Sequence, residues 1–153
     1  VLDLLDKKYH RQMFPVGRLD KDTEGLLLIT NHGELAHKLL SPKNKVAKVY
    51  YAKIEGQVSQ KERKKFEDGI QLGDFTCLPA KVDILHSASI SEVHITIYEG
   101  KFHQVKRMFE AVDMKVIYLK RLSMGSLTLD ENLPIGSYRP LTKEEIYDLT
   151  QGD

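Results

Sequence analysis

Phe14-Pro15-Val16-Gly17-Arg18-Leu19-Asp20-Lys21-Asp22-Thr23-Glu24-Gly25 leads directly into the apolar run Leu26-Leu27-Leu28-Ile29-Thr30. The run predicts a buried strand over 26–30. Gly17 and Gly25 bracket the charged part, where the backbone can adopt shapes that a Cβ would forbid. Arg18, Asp20, Asp22 and Glu24 therefore stand beside a segment that must be buried. The chain is either holding a charge network there or presenting one.

Three ordinary readings compete for this stretch. Arg18 and Asp20 as an exposed ion pair would contribute about 0–1 kcal/mol and nothing more. Asp20-x-Asp22-x-Glu24-Gly25 copies the first half of a calcium-binding loop, but the twelfth position of that loop needs a bidentate Glu and holds Asn31. That loop also needs helices on both sides, whereas Gly25 leads into a strand-like run. A nucleophilic aspartate of the phosphatase type should follow a long apolar strand, and Phe14-Pro15-Val16 is short and broken by Pro15.

The 153 residues bound the chain to one ordinary domain, or two small halves sharing a sheet. A hydrophobic content of 41% supports a packed core. Cys77 is the only cysteine, so no intrachain disulfide can form, which fits a reducing, cytoplasmic setting. No signal peptide or membrane-length apolar run is present. A net charge of +1 does not point to nucleic acid by itself, so any RNA surface must be a local patch.

Along the chain, residues 1–6 read as a short helix with Leu4 and Leu5 inward, and 7–12 as a polar link. After the strand over 26–30, Asn31 is the expected N-cap of a helix with Glu34 three residues on. Leu35, Leu39 and Leu40 give that helix its apolar face, and Ser41-Pro42 ends it. Residues 46–57 read as a long strand. Ser59-x-x-Glu62 is a capping box opening a helix to 68, anchored by Phe66 and stopped by Gly69. Residues 76–85 look strand-like, and 92–98 alternate with Val93, Ile95 and Ile97 inward. A helix over 103–112 carries one stripe of Val105, Met108, Phe109 and Val112. Strands are expected over 114–121 and 126–130 and a loop over 133–141. Thr142-x-x-Glu145 opens a last helix through 149. Strands outnumber helices without strict interleaving, which predicts an α+β fold with a mainly antiparallel sheet.

Three stretches resemble one known family. Gly17-Arg18-Leu19-Asp20 followed by Lys21-Asp22-Thr23-Glu24-Gly25-Leu26-Leu27-Leu28-Ile29-Thr30-Asn31 is similar to the catalytic motif of the pseudouridine synthases, within them the RsuA-like branch that modifies ribosomal RNA. Lys48-Val49-Tyr50 matches its K-x-Y element, and Glu99-Gly100-Lys101-Phe102-His103-Gln104-Val105-Lys106-Arg107-Met108 matches its third motif. The resemblance implies a bent, mixed sheet with flanking helices and an active cleft across its middle. It implies that Asp20 is the catalytic aspartate, Tyr50 stacks on the target base and Lys106 pairs with Asp20. From periodicity alone Tyr50 and Tyr51 are simply strand aromatics, one inward and one outward.

Lys106 and Arg107 lie about 100° apart around a helix axis, so they cannot enter one cleft together. Arg107 is expected on a solvated face or at a phosphate. Arg18 is expected to hold the extruded nucleotide's backbone or to shape the loop. His103 and Gln104 are expected to order the third motif; nothing in the sequence gives His103 a partner, and no catalytic role is assigned to it. Lys48, with Lys43 and Lys45, is a candidate phosphate contact, as are Lys61, Arg63, Lys64 and Lys65.

The implied activity is isomerisation of a uridine to pseudouridine in ribosomal RNA. The third motif looks closest to the small-subunit members. Large-subunit RNA, or a non-catalytic RNA-binding or assembly factor on the same fold, are the alternatives. No cofactor and no metal are expected, the partner is ribosomal RNA or an assembling particle, and the protein is expected to act as a monomer. Members of the branch carry an S4-like RNA-binding domain and a first catalytic strand with Lys-Pro-x-Gly. Neither motif is present, so residues 1–153 are expected to cover most of a catalytic domain.

Overall fold

The computed structural model describes residues 1–9, 12–101 and 103–151. His10 and Arg11 of the polar link and Phe102 of the third motif lie outside the described residues. Two 3₁₀ turns, Leu2–Leu4 and Lys7–Tyr9, come first. Leu4 was expected inward but is 57% exposed, because three residues of 3₁₀ turn offer no continuous face to bury it.

The apolar run does not form one strand. β1 (Phe14–Pro15) pairs antiparallel with β3 (Ile29–Thr30), and β2 (Glu24–Gly25) joins a different sheet. The run is split because its backbone serves two partners: Leu28 C=O accepts from Val16 N–H at 2.8 Å, while Leu26 N–H donates to Arg121 C=O at 2.9 Å. Helix α1 (Gly33–Leu40) follows. Its N-cap is His32 rather than Asn31: the His32 Nδ1 accepts from Leu35 N–H at 3.0 Å, so the helix starts one residue later than expected. Ala36 and Leu39 are its buried positions.

The main sheet contains β4 (Lys48–Glu55), β5 (Lys81–His86), β6 (Ile90–Ile97), β7 (Lys115–Met124) and β8 (Leu127–Thr128), together with β2. Its order is β2-β7-β4-β6-β5, with β8 paired to β7. Only the β2–β7 pair is parallel; the others are antiparallel. This is the α+β fold with a mainly antiparallel mixed sheet that the strand count predicts. In β6 the alternation places Val93, Ile95 and Ile97 inward, as the sequence requires.

Helix α2 (Gln60–Asp68) forms through the expected capping box: Glu62 Oε1 accepts from Ser59 N–H at 2.9 Å and from its hydroxyl at 2.6 Å. Phe66 is fully buried and its ring lies 4.8 Å from that of Phe109 on α3 (Gln104–Glu110). Helix α4 (Lys143–Gln151) opens with the second predicted box, Thr142 with Glu145. Among the described residues, no helix is long and apolar enough to cross a membrane.

Two apolar clusters result. The larger joins α2 and α3 to the inward face of β4–β7 through Ala52, Ile54, Val93, Ile95 and Leu119. The smaller gathers Val16, Leu28, Leu39, Met124, Leu127 and Leu149.

Gly25 is where the fold has least room. Its φ is +109°, and a Cβ there would stand 2.2 Å from the Arg121 carbonyl oxygen. Gly25→Ala is expected to destabilise the protein by at least about 1–3 kcal/mol, read as a fall in the urea midpoint. Gly33→Ala, where nothing lies within 4 Å, is the control and should leave the midpoint unchanged or slightly raised.

Candidate active site

The loop carrying Asp20 is fixed at both ends by the split run. It leaves the β1–β3 ribbon after Val16 and returns into β2, which lies along Lys120 and Arg121 of β7. Between these anchors Thr23 N–H donates to Asp20 C=O at 2.9 Å, closing a turn. Asp20 is therefore carried on a short tether pinned to the sheet at one end and the ribbon at the other.

The opposite wall is the start of α3. His103, in the left-handed region at φ +51°, caps the helix. Gln104 is buried and clamps the preceding turn: its Oε1 accepts from Lys101 N–H at 3.0 Å and its amide donates to Glu99 Oε2 at 3.1 Å. Glu99 in turn accepts from Leu78 N–H at 2.6 Å. Gln104 thus ties the turn before α3 to Glu99, whose part the sequence did not show.

His103 and Lys106, three residues apart, share one helical face. Both reach Asp20: His103 Nε2 and Lys106 Nζ each lie 3.6 Å from its carboxylate. His103 therefore has the partner that the sequence did not supply, because the pairing bridges 83 positions of chain. Lys106 makes its closer contact, 2.5 Å, with Asp22. The Asp22 side chain is 73% exposed and that of Asp20 only 22%, so Lys106 spans an outer and an inner carboxylate. The hydrogen bond from Lys106 holds the Asp22 carboxyl below the usual carboxylate range; in return Asp22, with Asp20 behind it, holds the ammonium above the usual lysine range.

Arg107 turns away, as the 100° step requires. It pairs with Asp74 and its guanidinium lies 5.6 Å from the Phe75 ring centre. Glu24 accepts from the Tyr118 hydroxyl at 2.6 Å, which pushes that phenol up to about 12. Asp20 and Asp22 thus share Lys106, while Glu24 is taken by Tyr118.

Arg18, Asp20, Lys48, Tyr50, His103 and Gln104 line one cleft of about 80 Å³. Tyr50 also packs against the larger cluster, while Tyr51 faces the other side of the sheet and donates to Glu92. Lys48 is not on a solvated face: it is 3% exposed, because it shares the inward side of β4 with Tyr50, Ala52 and Ile54. Burial and the neighbouring Arg121 push its ammonium below the usual lysine range, against the opposing pull of Glu99. Sequence reasoning missed Arg121 entirely. Period-two alternation from Leu119 would have found it on the inward face of β7.

Comparison with known proteins agrees with this architecture. A model of the RNA pseudouridylate synthase family matches residues 1–111, and the chain belongs to that family. It is 47% identical over 154 residues to an uncharacterized RNA pseudouridine synthase, YtzG, of Bacillus subtilis, covering 99% of this chain and 64% of that one. It is 41% identical over 146 residues to ribosomal small subunit pseudouridine synthase A of Escherichia coli K12, covering 95% and 63%. The chain thus spans less than two thirds of the length of these relatives. A crystal structure of a pseudouridylate synthase superposes with a TM-score of 0.91 at 39% identity, over 97% of this chain and 64% of that one. The archaeal box H/ACA Nop10–Cbf5 complex, at 17% identity and a TM-score of 0.60, shares the fold.

Lys106→Gln removes the cation that serves Asp22. The Asp22 carboxyl should then titrate at higher pH, in the ordinary carboxylate range, as followed by carboxylate ¹³C NMR. An unmoved midpoint would mean that the Lys106–Asp22 contact is not held in solution.

Proposed function

We propose that this chain isomerises a uridine of ribosomal RNA, in the small subunit, to pseudouridine. The observation that carries the reading is the position of Asp20. It stands on a pinned loop, at the wall of a cleft shared with Tyr50, facing Lys106 and His103. Membership of the family supports the reaction class, and the similarity to small-subunit pseudouridine synthase A supports the RNA.

In this reading the target base leaves its stack, at a cost of a few kcal/mol, and enters the cleft. Tyr50 offers the ring on which it lies; stacking of this kind contributes about 1–3 kcal/mol per base. Asp20 acts as the carboxylate, attacking C1′ or removing a ribose proton. Lys106 and His103, each 3.6 Å from it, fix its direction. The N1–C1′ bond breaks, the uracil turns, and the C5–C1′ bond forms as Asp20 leaves C1′ or returns the ribose proton; C5 then loses its proton while N1 gains one. Atoms and electrons balance without a redox partner. In this reading Arg18, on the cleft wall, holds the nucleotide's backbone, and Arg107, paired with Asp74 outside the cleft, is a further phosphate contact.

Tritium release from small-subunit ribosomal RNA labelled at uridine C5, free or carrying early ribosomal proteins, tests the reading. Release is expected from this chain. Asp20→Asn should abolish it while leaving the circular dichroism and RNA affinity unchanged. Equal release by Asp20→Asn would remove Asp20 from the assignment, and release from large-subunit RNA alone would move the substrate.

A further inference from the structure

The inward face of β4 and β7 is apolar at Ala52, Ile54 and Leu119 and then changes character at the cleft. Lys48 and Tyr50 continue it on β4 and Arg121 on β7. Tyr50 and Arg121 are direct partners in the register of the two strands. Each of the two cations is 3% exposed.

Among the described residues neither cation has a carboxylate to itself. Arg121 Nε donates to Leu26 C=O at 2.9 Å, while its Nη2 is buried with no hydrogen-bond partner among them. Lys48 Nζ makes one long hydrogen bond, 3.4 Å, to Val46 C=O. Glu99, the buried acid nearby, is engaged by Leu78 N–H and Gln104. A buried guanidinium with an idle donor is costly unless something arrives to use it. Its place, across the strand pair from Tyr50 and lining the same cleft, fixes what could arrive: a polar edge of the ring lying on Tyr50. Cross-strand partners have Cβ atoms about 4.5–5.5 Å apart, within reach of a base edge.

We infer that Arg121, backed by Lys48, is a catalytic residue that stabilises the uracil as it leaves the sugar. The inference rests on the reading of the chain as a pseudouridine synthase. Whichever way Asp20 acts, the electron pair of the N1–C1′ bond stays on the base. The charge spreads over N1 and the two carbonyl oxygens, and the buried cations stand to meet it. The same pair then returns to C1′ through C5, so no outside reactant enters. Donors set in advance at the site of a developing charge act on the transition state more than on the bound substrate.

The test compares single-turnover cleavage of the N-glycosidic bond in ribosomal RNA carrying uridine and in RNA carrying 5-fluorouridine, whose base is the more acidic and needs less help to leave. The two rates are read by nucleoside chromatography. Arg121→Lys should slow the uridine reaction by about 10²–10³-fold, the range for loss of one preset donor. It should slow the 5-fluorouridine reaction at least ten-fold less, with RNA affinity retained. Equal slowing on both substrates, no slowing, or a loss confined to affinity overturns the inference and leaves the synthase reading standing. If Arg121→Lys does not fold by circular dichroism, the same pair of rates for Lys48→Met decides between those outcomes. Parent chain that cleaves neither RNA takes down the synthase reading and this inference together.

Discussion

The approach of Gly25 to Arg121 is the constraint on which the rest of the site depends. Two residues of parallel pairing bring the Asp20 loop against the edge of a sheet whose other contacts are antiparallel. The approach is possible because Gly25 has no side chain: its backbone lies where a methyl group would meet the Arg121 carbonyl. Once the loop is seated, Asp20 faces the start of α3, and Lys106 and His103 meet it from one helical face. Arg121 belongs to both sides of this arrangement. Its backbone receives the loop, its Nε holds Leu26, and the residue lines the cleft.

The cleft lies where two apolar clusters fail to merge. On β4 and β7 the inward positions run from Ala52 and Leu119, in one cluster, to Met124 in the other. Between them stand Lys48, Tyr50 and Arg121. Continuous burial along those strands would have yielded a single core with no room for a ligand. Placing cations and a phenol there interrupts the core and gives the gap its polarity. Part of the cost of that interruption is met locally, by Glu99 beside Lys48 and by the hydrogen bond from Arg121 to Leu26 C=O.

Features written in short-range chemistry were legible in the sequence. Both capping boxes, Ser59 with Glu62 and Thr142 with Glu145, join residues three apart and form as read. The alternation of β6 and the stripe on α3 follow the periods of strand and helix. What the sequence hid depends on distant partners. The run over 26–30 looks like one strand until β7 claims its first part and β1 its last. His32 displaces Asn31 as cap because its imidazole Nδ1 accepts from Leu35 N–H, three residues on. His103 looked unpartnered, and Lys48 looked like a phosphate contact, because Asp20 and the buried sheet face are remote in sequence. The resemblance singled out Asp20, Tyr50 and Lys106; it did not disclose that Lys106 bonds first to Asp22, or that Arg121 lines the same cleft.

The β2–β7 pairing also orders events in time. Residues 24–25 have their sheet partners at 120–121, almost a hundred positions later. While a chain emerges from the ribosome, α1 and the β1–β3 ribbon can form from neighbouring residues, but the Asp20 loop has nothing to dock on. Loop closure over that separation must await the last quarter of the chain. The Asp20 carboxylate is therefore among the last groups to be placed, after its sheet is complete.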